Sequence, residues 1–374
     1  MWMPPFALVS VVRTRVAVSD VSAWNHWVPR WYLKRWSVDG LSVATYETLV
    51  PVEQYPVWEY RSIRSLAAAN HLYTETRGAE PDAFEKYLKN EIEEPALEVI
   101  ERVERGQPLV KADHDRLTRF AVALDQRTPS AYLEHLDRWN RDMPALLHST
   151  LKEGAEELAR AAATGTPLRP EPDAGLGDRF PTRVTFHPDP TIDDPDRREM
   201  RLEVTIGREL WVWAMRQALE KTTPNILAGI TWSILEPRSE AEWFTSDHPL
   251  LRVNYWEPGK FDFGGGWGHP GSEIALPISP RALLYAKVRS PFPPKYEVGR
   301  QAALTLQFLL ARRAYHAIFA SAPWQRVEAL RPRVVNSEAY KDRRRQLDEW
   351  HAVNAEAERE LNAPQPDLHL GAER

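Results

Sequence analysis

The chain has 374 residues and a formal net charge of −5 at pH 7, with 43% hydrophobic and 27% charged residues, a composition typical of globular proteins. It contains no cysteine, which excludes a disulfide framework, a thiolate nucleophile and a cysteine-ligated metal. Cations and anions are intermixed along most of the sequence, so no overall basic field would attract nucleic acid.

We expect one compact domain over residues 21–362, because a chain of this length can bury a large core. Residues 1–20 would form a loosely attached extension, and residues 363–374 a frayed tail. The extension has an apolar run that Arg13 and Arg15 interrupt, which is a poor signal peptide. No window approaches the ~18 apolar residues of a membrane helix, so we expect a cytoplasmic protein without a membrane partner.

The first predicted element is a short helix from Pro29 to Trp36, within NHWVPRWYLKRW. Large apolar side chains recur there at helical spacing, and proline occupies the first turn. Asn25 and His26 would stand just before this helix. The segment LSVATYETL then alternates between apolar and polar residues, which predicts a strand near residues 41–49.

Three amphipathic helices are predicted next. The first begins after Pro81 and is broken or kinked at Pro95. The second is DRLTRFAVALDQR, and the third runs from Pro129 to about Ala163. The first half of the chain should therefore be mostly helical.

Residues 164–196 are dense in proline, glycine and aspartate, which indicates a surface excursion with one brief strand at RVTFH. A helix is predicted from about residue 197 to 221. The runs that follow, among them WSILEP, LLRVNYW, EIALPIS and ALLYAKV, are short and rich in β-forming residues. Two helical patterns, at about 295–320 and 337–361, complete the chain.

This order of elements predicts an α+β fold. It should be predominantly helical, with a central antiparallel sheet built mainly from residues 226–290 and the strand near 41–49. The segment GWGHPG has the letters of a dinucleotide-binding motif, but a strand follows it where that motif needs a helix. His187 and the nearby aspartates favour a solvated turn over a cation site. We therefore expect no cofactor and no metal.

Four segments occur in an order that resembles a known family. They are NHWVPRWYLKRWSVDG, FEKYLKNEIEEPALEVI, FAVALDQRTPSA, and WFTSDHPLL followed by IALPISPRALLYA. Together they resemble the domain of unknown function 4238 family, over most of residues 25–320. Because that family has no assigned activity, the resemblance implies no reaction. His248 stands where the family pattern usually has asparagine.

Two residues are candidates for acid or base chemistry. His26 would lie just before a helix, where an imidazole can exchange protons near neutral pH, or it could cap the helix or hydrogen-bond within the core. Asp247 could orient His26 or act as a carboxylate base. Its alternative role is to begin an Asx turn ahead of Pro249.

Other residues are candidates for binding an anion. Arg127 follows Gln126 at a helix end, and its guanidinium could hold a phosphate or carboxylate, or pair with the glutamate-rich helix. Glu85 and Glu93 are about 80° apart around a regular helix, so they could converge on one site or remain solvated. Trp27, beside Arg30, could be a stacking platform for bases or simply a core aromatic.

The leading hypothesis is an intracellular hydrolase that acts on a phosphate-containing or otherwise anionic substrate. His26 would be the general acid or base, Asp247 would orient it, and Arg127 would hold the anion. The substrate-binding residues would be Gln126, Arg30, Glu85, Glu93 and His248. The alternative is a non-enzymatic binding protein whose basic and aromatic face docks a partner or nucleic acid.

Overall fold

The computed structural model describes residues 24–70, 72–74, 82–166, 180–188, 198–238, 242–346 and 349. The predicted N-terminal extension, the predicted tail and the aspartates after His187 lie outside the described residues. Within these ranges no helix has both the length and the hydropathy of a membrane span.

Helices make up most of the regular structure in the first half of the chain. The α-helices are Arg30–Leu33 (α1), Ala83–Tyr87 (α2), Glu94–Glu104 (α3), Lys111–Gln126 (α4), Pro129–Thr164 (α5), Arg208–Gln217 (α6), Thr223–Leu227 (α7), Arg300–Arg313 (α8) and Val327–Leu330 (α9). Two π-helical turns, Leu88–Glu93 and Ala218–Thr222, join α2 to α3 and α6 to α7. Two 3-10 turns are Lys34–Trp36 and Ile63–Ser65, and residues 337–346 are also helical.

Strands are short and numerous. They are Trp24–His26 (β1), Ser42–Glu47 (β2), Leu49–Val50 (β3), Glu59–Ser62 (β4), Ala68–Asn70 (β5), Thr182–Pro188 (β6), Arg198–Val204 (β7), Ser233–Pro237 (β8), Thr245–Ser246 (β9), Leu251–Glu257 (β10), Lys260–Asp262 (β11), Glu273–Ser279 (β12), Ala282–Lys287 (β13), Lys295–Val298 (β14), Ala317–Ala320 (β15) and Val334–Val335 (β16). One sheet has six strands in the order β11-β10-β12-β13-β8-β14, and another has four in the order β4-β2-β15-β9. The pairs β1-β5, β16-β3 and β6-β7 form two-stranded sheets.

The six-stranded sheet is buried on both faces, which explains its nearly continuous apolar strands. In β12, Ile274 and Leu276 belong to a core cluster shared with α1, α3 and α4, whereas Ala275 belongs to a second cluster shared with α8. In β13, Leu284 belongs to the first cluster and Leu283 to the second. Because successive side chains of a strand point to opposite faces, the sheet separates two apolar cores.

The predicted α+β class is confirmed, and the apolar strands after residue 226 form the large sheet as expected. Two details differ from the expectation. The strand near residues 41–49 joins the four-stranded sheet, where β2 pairs with β15 and β4. In addition, β14 pairs with β8 in parallel, so the large sheet is mixed.

Two predicted helices are shorter than expected. The helix predicted from residue 197 begins as strand β7, which pairs with β6 in antiparallel register, and α6 starts only at Arg208. The helix predicted over 295–320 is flanked by β14 and β15. In this second segment, β14 pairs with β8 and β15 pairs with β2, so both ends bond to strands distant in sequence.

The long helix predicted from Pro129 is present as α5, and its first turn is fixed by a cap. The Oγ1 atom of Thr128 accepts the backbone N–H of Ala131 at 3.3 Å. This is the ordinary N-cap arrangement, in which a side chain satisfies an amide that has no helical acceptor. The cap holds the segment that joins α4 to α5 in a defined position.

The predicted helix in the opening segment is docked on the sheets by its aromatic face. The hydroxyl of Tyr32 donates to the carbonyl of Pro277 and lies 2.9 Å from Oγ1 of Thr245. Nε1 of Trp36 donates to the carbonyl of Trp243 at 2.7 Å. These contacts join α1 to β9 and β12, and they position the residues on either side of α1.

The Tyr32→Phe variant should lose about 1–3 kcal/mol of unfolding free energy, because the buried carbonyl and hydroxyl that it contacts would lose a partner. Tyr60, which is 59% exposed, provides the matched control. The Tyr60→Phe variant should change stability by less than about 0.5 kcal/mol. Urea unfolding of both variants measures the difference, and equal losses would contradict the docking role of Tyr32.

Candidate functional site

A cleft of about 590 Å³ opens beside α1, between the α2–α3 helical segment and the end of α4. It contains five of the residues predicted to form a site, namely His26, Arg30, Glu85, Glu93 and Arg127. Its charged lining comprises four cationic and three acidic side chains. We call it the His26 cleft.

Arg127 supplies the buried cation of this cleft. The residue is 1% exposed, and its Nη1 donates to Oε1 of Glu93 at 2.6 Å. Within the part of the chain that the structure describes, its Nε and Nη2 atoms have no hydrogen-bond partner. We call these two nitrogens the open edge of Arg127. Each buried N–H left unpaired costs about 1–3 kcal/mol.

His26 lies in β1 and is half-buried, with a ring that is neutral at neutral pH. Its Nε2 is 3.2 Å from the carbonyl oxygen of Arg64. A carbonyl only accepts, so Nε2 carries the hydrogen and the neutral ring keeps its lone pair on Nδ1. Burial lowers the pKa of His26, and the charges of Arg30 and Arg127 lower it further, while the nearby carbonyls oppose the change. The neutral form is the one that can accept a proton.

Glu85 and Glu93 both line the cleft, as their spacing suggested, although the helix between them is not regular. The π-helical turn Leu88–Glu93 separates them. Oε2 of Glu85 accepts from Nδ2 of Asn25 at 2.5 Å, and Oε2 of Glu93 accepts from Nε1 of Trp31 at 3.1 Å. Among the described residues, no three acidic or histidine side chains come together as a metal ligand set.

Arg30 is exposed at the rim of the cleft, whereas Trp27 takes the second of its two possible roles, that of a core aromatic. Trp27 is only 6% exposed and belongs to the apolar core. Its Nε1 donates to the backbone carbonyl of Asp247 at 3.1 Å. A buried ring cannot stack on a base, so Trp27 cannot contribute to a nucleic-acid-binding face.

Asp247 lies outside the His26 cleft, and its predicted pairing with His26 is wrong. Its Oδ1 accepts the backbone N–H of Tyr315 at 3.0 Å, and its Oδ2 accepts that of His316 at 2.7 Å. Burial raises the pKa of Asp247 to about 6, although these amides act in the opposite direction. The carboxylate therefore holds the turn between α8 and β15 and does not orient the imidazole.

Gln126 and His248 also lie away from the cleft, in a second polar cluster. Nδ1 of His248 is 2.6 Å from Oγ of Ser130, and its Nε2 is 3.8 Å from Oδ1 of Asp125. Oε1 of Gln126 is 2.9 Å from Nε2 of His135. Sequence reasoning missed Ser130 and Asp125, because their partner His248 is more than a hundred residues away along the chain.

The comparisons with known proteins agree with the resemblance found in the sequence. A family model described as "Protein of unknown function (DUF4238)" matches residues 25–338. The match includes every residue of the His26 cleft and of the second polar cluster. No curated protein and no solved structure matches the chain.

Proposed function

We propose that this chain, which belongs to the DUF4238 family of proteins of unknown function, is a hydrolase of phosphate-containing or similarly anionic substrates. The substrate would occupy the His26 cleft. Arg127 would bind its anionic group, and His26 would act as the general base. Glu93 would fix the guanidinium, since it holds Nη1.

The observation that carries this proposal is the open edge of Arg127. A guanidinium presents N–H pairs that match two oxygens of a phosphate or carboxylate. In Arg127, Nη1 donates to Glu93. The other edge of the guanidinium consists of Nε and Nη2, and no described residue accepts a hydrogen bond from either atom. The exposed cations at the rim, Arg30 and Lys34, add a favourable potential for an incoming anion.

The chemistry assigned to His26 follows from its neutral ring. Nδ1 would take a proton from a water molecule, whose oxygen forms a bond to phosphorus as the ester P–O bond breaks. The proton then passes to the departing oxygen, so that an alcohol and a phosphate leave. Developing negative charge on the phosphoryl oxygens would be stabilised by Arg127, which is the usual source of rate acceleration in phosphoryl transfer.

Direct assays of the full chain test the proposal. Inorganic phosphate binding is measured by calorimetry, and hydrolysis is followed with p-nitrophenyl phosphate and bis(p-nitrophenyl) phosphate. We expect phosphate to bind, to inhibit hydrolysis competitively, and at least one of the two esters to be cleaved. Binding without hydrolysis of either ester would favour the non-enzymatic alternative, and absence of both would overturn the proposal.

The His26→Gln variant should lower kcat by about 10²–10⁴-fold, because an amide can still donate to the Arg64 carbonyl but cannot carry a proton. Phosphate affinity should change little. His148→Ala, on the exposed surface of α5, is the matched control and should retain wild-type kcat. Steady-state kinetics on the cleaved ester separate kcat from KM, and an unchanged kcat in His26→Gln would remove His26 from the mechanism.

A further inference from the structure

The second polar cluster has the parts of an activated serine. Oγ of Ser130 is 2.6 Å from Nδ1 of His248 and 3.1 Å from Oγ1 of Thr128. On the far side of the ring, Nε2 of His248 faces Oδ1 of Asp125 at 3.8 Å. Serine, histidine and aspartate therefore stand in line, although the last separation is too long for a hydrogen bond.

The charge on Asp125 determines which ring nitrogen holds the hydrogen. Burial acts to raise the pKa of Asp125, but His248, Arg252 and Trp267 outweigh it and hold the pKa well below its usual range. Asp125 is thus a carboxylate, which favours the hydrogen of the neutral imidazole on Nε2. Burial lowers the pKa of His248, and Asp125 opposes this only in part. Nδ1 then carries the lone pair that accepts the hydroxyl hydrogen of Ser130.

The serine opens into a cleft of its own, of about 330 Å³, which we call the Ser130 cleft. Ser130 and His248 both line it. Its charged lining residues are Arg312, Arg313, Arg331, Glu134 and Asp137. Arg313 lies 3.7 Å from Glu134, so its charge is partly offset, whereas Arg312 is exposed at the mouth. The cleft is therefore suited to a ligand that carries negative charge.

We propose that Ser130 is a nucleophile, activated by His248, that cleaves esters bearing an anionic group in the Ser130 cleft. Oγ forms a bond to the carbonyl carbon, and its proton passes to Nδ1 of His248. The ester C–O bond breaks, and the same proton leaves on the alcohol. Water then cleaves the acyl-serine in the same way. The first-turn amide of Ser130, in α5, is a candidate donor to the oxyanion.

Labelling with a fluorophosphonate tests this assignment on the full chain. In that reaction Oγ bonds to phosphorus, the P–F bond breaks, fluoride leaves, and His248 takes the proton. We expect a single adduct, located on Ser130 by peptide mass spectrometry. Ser130→Ala should abolish it, whereas Ser149→Ala, on the exposed part of the same helix, should not change it.

The His248→Gln variant should label at least about 10²-fold more slowly, since the general base is lost. Circular dichroism and thermal unfolding establish that it is folded. If it does not fold, the comparison of Ser130→Ala with Ser149→Ala still decides the assignment.

Ser130→Ala should leave phosphate ester hydrolysis in the His26 cleft unchanged, so the two sites can be separated. Folded wild-type protein that gains no adduct on Ser130 at saturating probe would overturn the proposal.

Discussion

Replacing Arg127 with lysine should weaken inorganic phosphate binding by on the order of 10²-fold while the protein remains folded. Lysine can place its single Nζ against Glu93 and keep the ion pair, but it has no second edge. The loss corresponds to two charge-assisted hydrogen bonds at the open edge, each worth about 1.5–3 kcal/mol before any compensation by the remaining rim cations. Calorimetry at constant ionic strength gives the affinities.

Lys34→Gln is the matched control for this variant, because Lys34 is a rim cation exposed to solvent. It should weaken phosphate binding only a few-fold, as surface charges contribute little in salt. Equal losses of phosphate affinity in R127K and K34Q would mean that phosphate is attracted only by the overall electrostatic potential of the cleft. The open edge would then have no specific role.

The partner of Arg127 offers a complementary experiment. In Glu93→Gln the guanidinium keeps a neutral acceptor but loses its counter-charge, so stability should fall by about 1–3 kcal/mol. Bound phosphate would then supply the missing negative charge. Phosphate should therefore raise the Tm of Glu93→Gln more than that of the wild type, since a tighter ligand stabilises the native state more. A smaller shift in the variant would contradict an anion site at Arg127.

The residues of the His26 cleft could be brought together from sequence because short-range patterns fix most of them. Pro29, which occupies the N-cap of α1, located this helix and with it the rim residue Arg30. Helical periodicity set Glu85 and Glu93 on one side of a helix, and the end of α4 located Arg127. Each of these inferences needs only a few neighbouring residues. The π-helical turn did not disturb the outcome, since both acids still reach the cleft.

Contacts between distant segments could not be inferred in the same way. Strand β7 carries an alternation, in Met200, Leu202 and Val204, that is typical of a strand, although a helix was predicted from about residue 197. The strand also depends on its antiparallel pairing with β6, which the residues of β7 alone do not indicate. The contact of Ser130 with His248 joins residues 118 positions apart, and no local pattern indicates it. The structural role of Asp247 is likewise hidden in the sequence, because the amides that it binds lie about 70 residues later.

Removing the Asp247 side chain should destabilise the protein strongly. In Asp247→Ala the amides of Tyr315 and His316 lose their acceptor, and each partly buried N–H left unpaired costs about 1–3 kcal/mol. We expect the free energy of unfolding, measured in urea, to fall by about 2–4 kcal/mol in total, with an unchanged m-value. A loss below about 1 kcal/mol would mean that water reaches these amides and replaces the carboxylate.

The same carboxylate should make stability depend on pH, and Asp247→Asn isolates that dependence. Burial raises the pKa of Asp247 to about 6 in the folded protein, whereas an unfolded aspartate titrates near ~3.9. The native state thus binds more protons between these values, so the contribution of Asp247 is fully present below about pH 4 and is lost as the pH rises through about 6.

The stability advantage of wild type over Asp247→Asn should therefore shrink by about 3 kcal/mol between pH 4 and pH 7, because other titrating groups cancel in the comparison. Urea unfolding of wild type and variant across this range supplies the difference. An advantage that instead grows with pH would show that the amides of Tyr315 and His316 stabilise the ionised carboxylate by more than burial penalises it. The pKa of Asp247 in the folded protein would then lie below that of an unfolded aspartate.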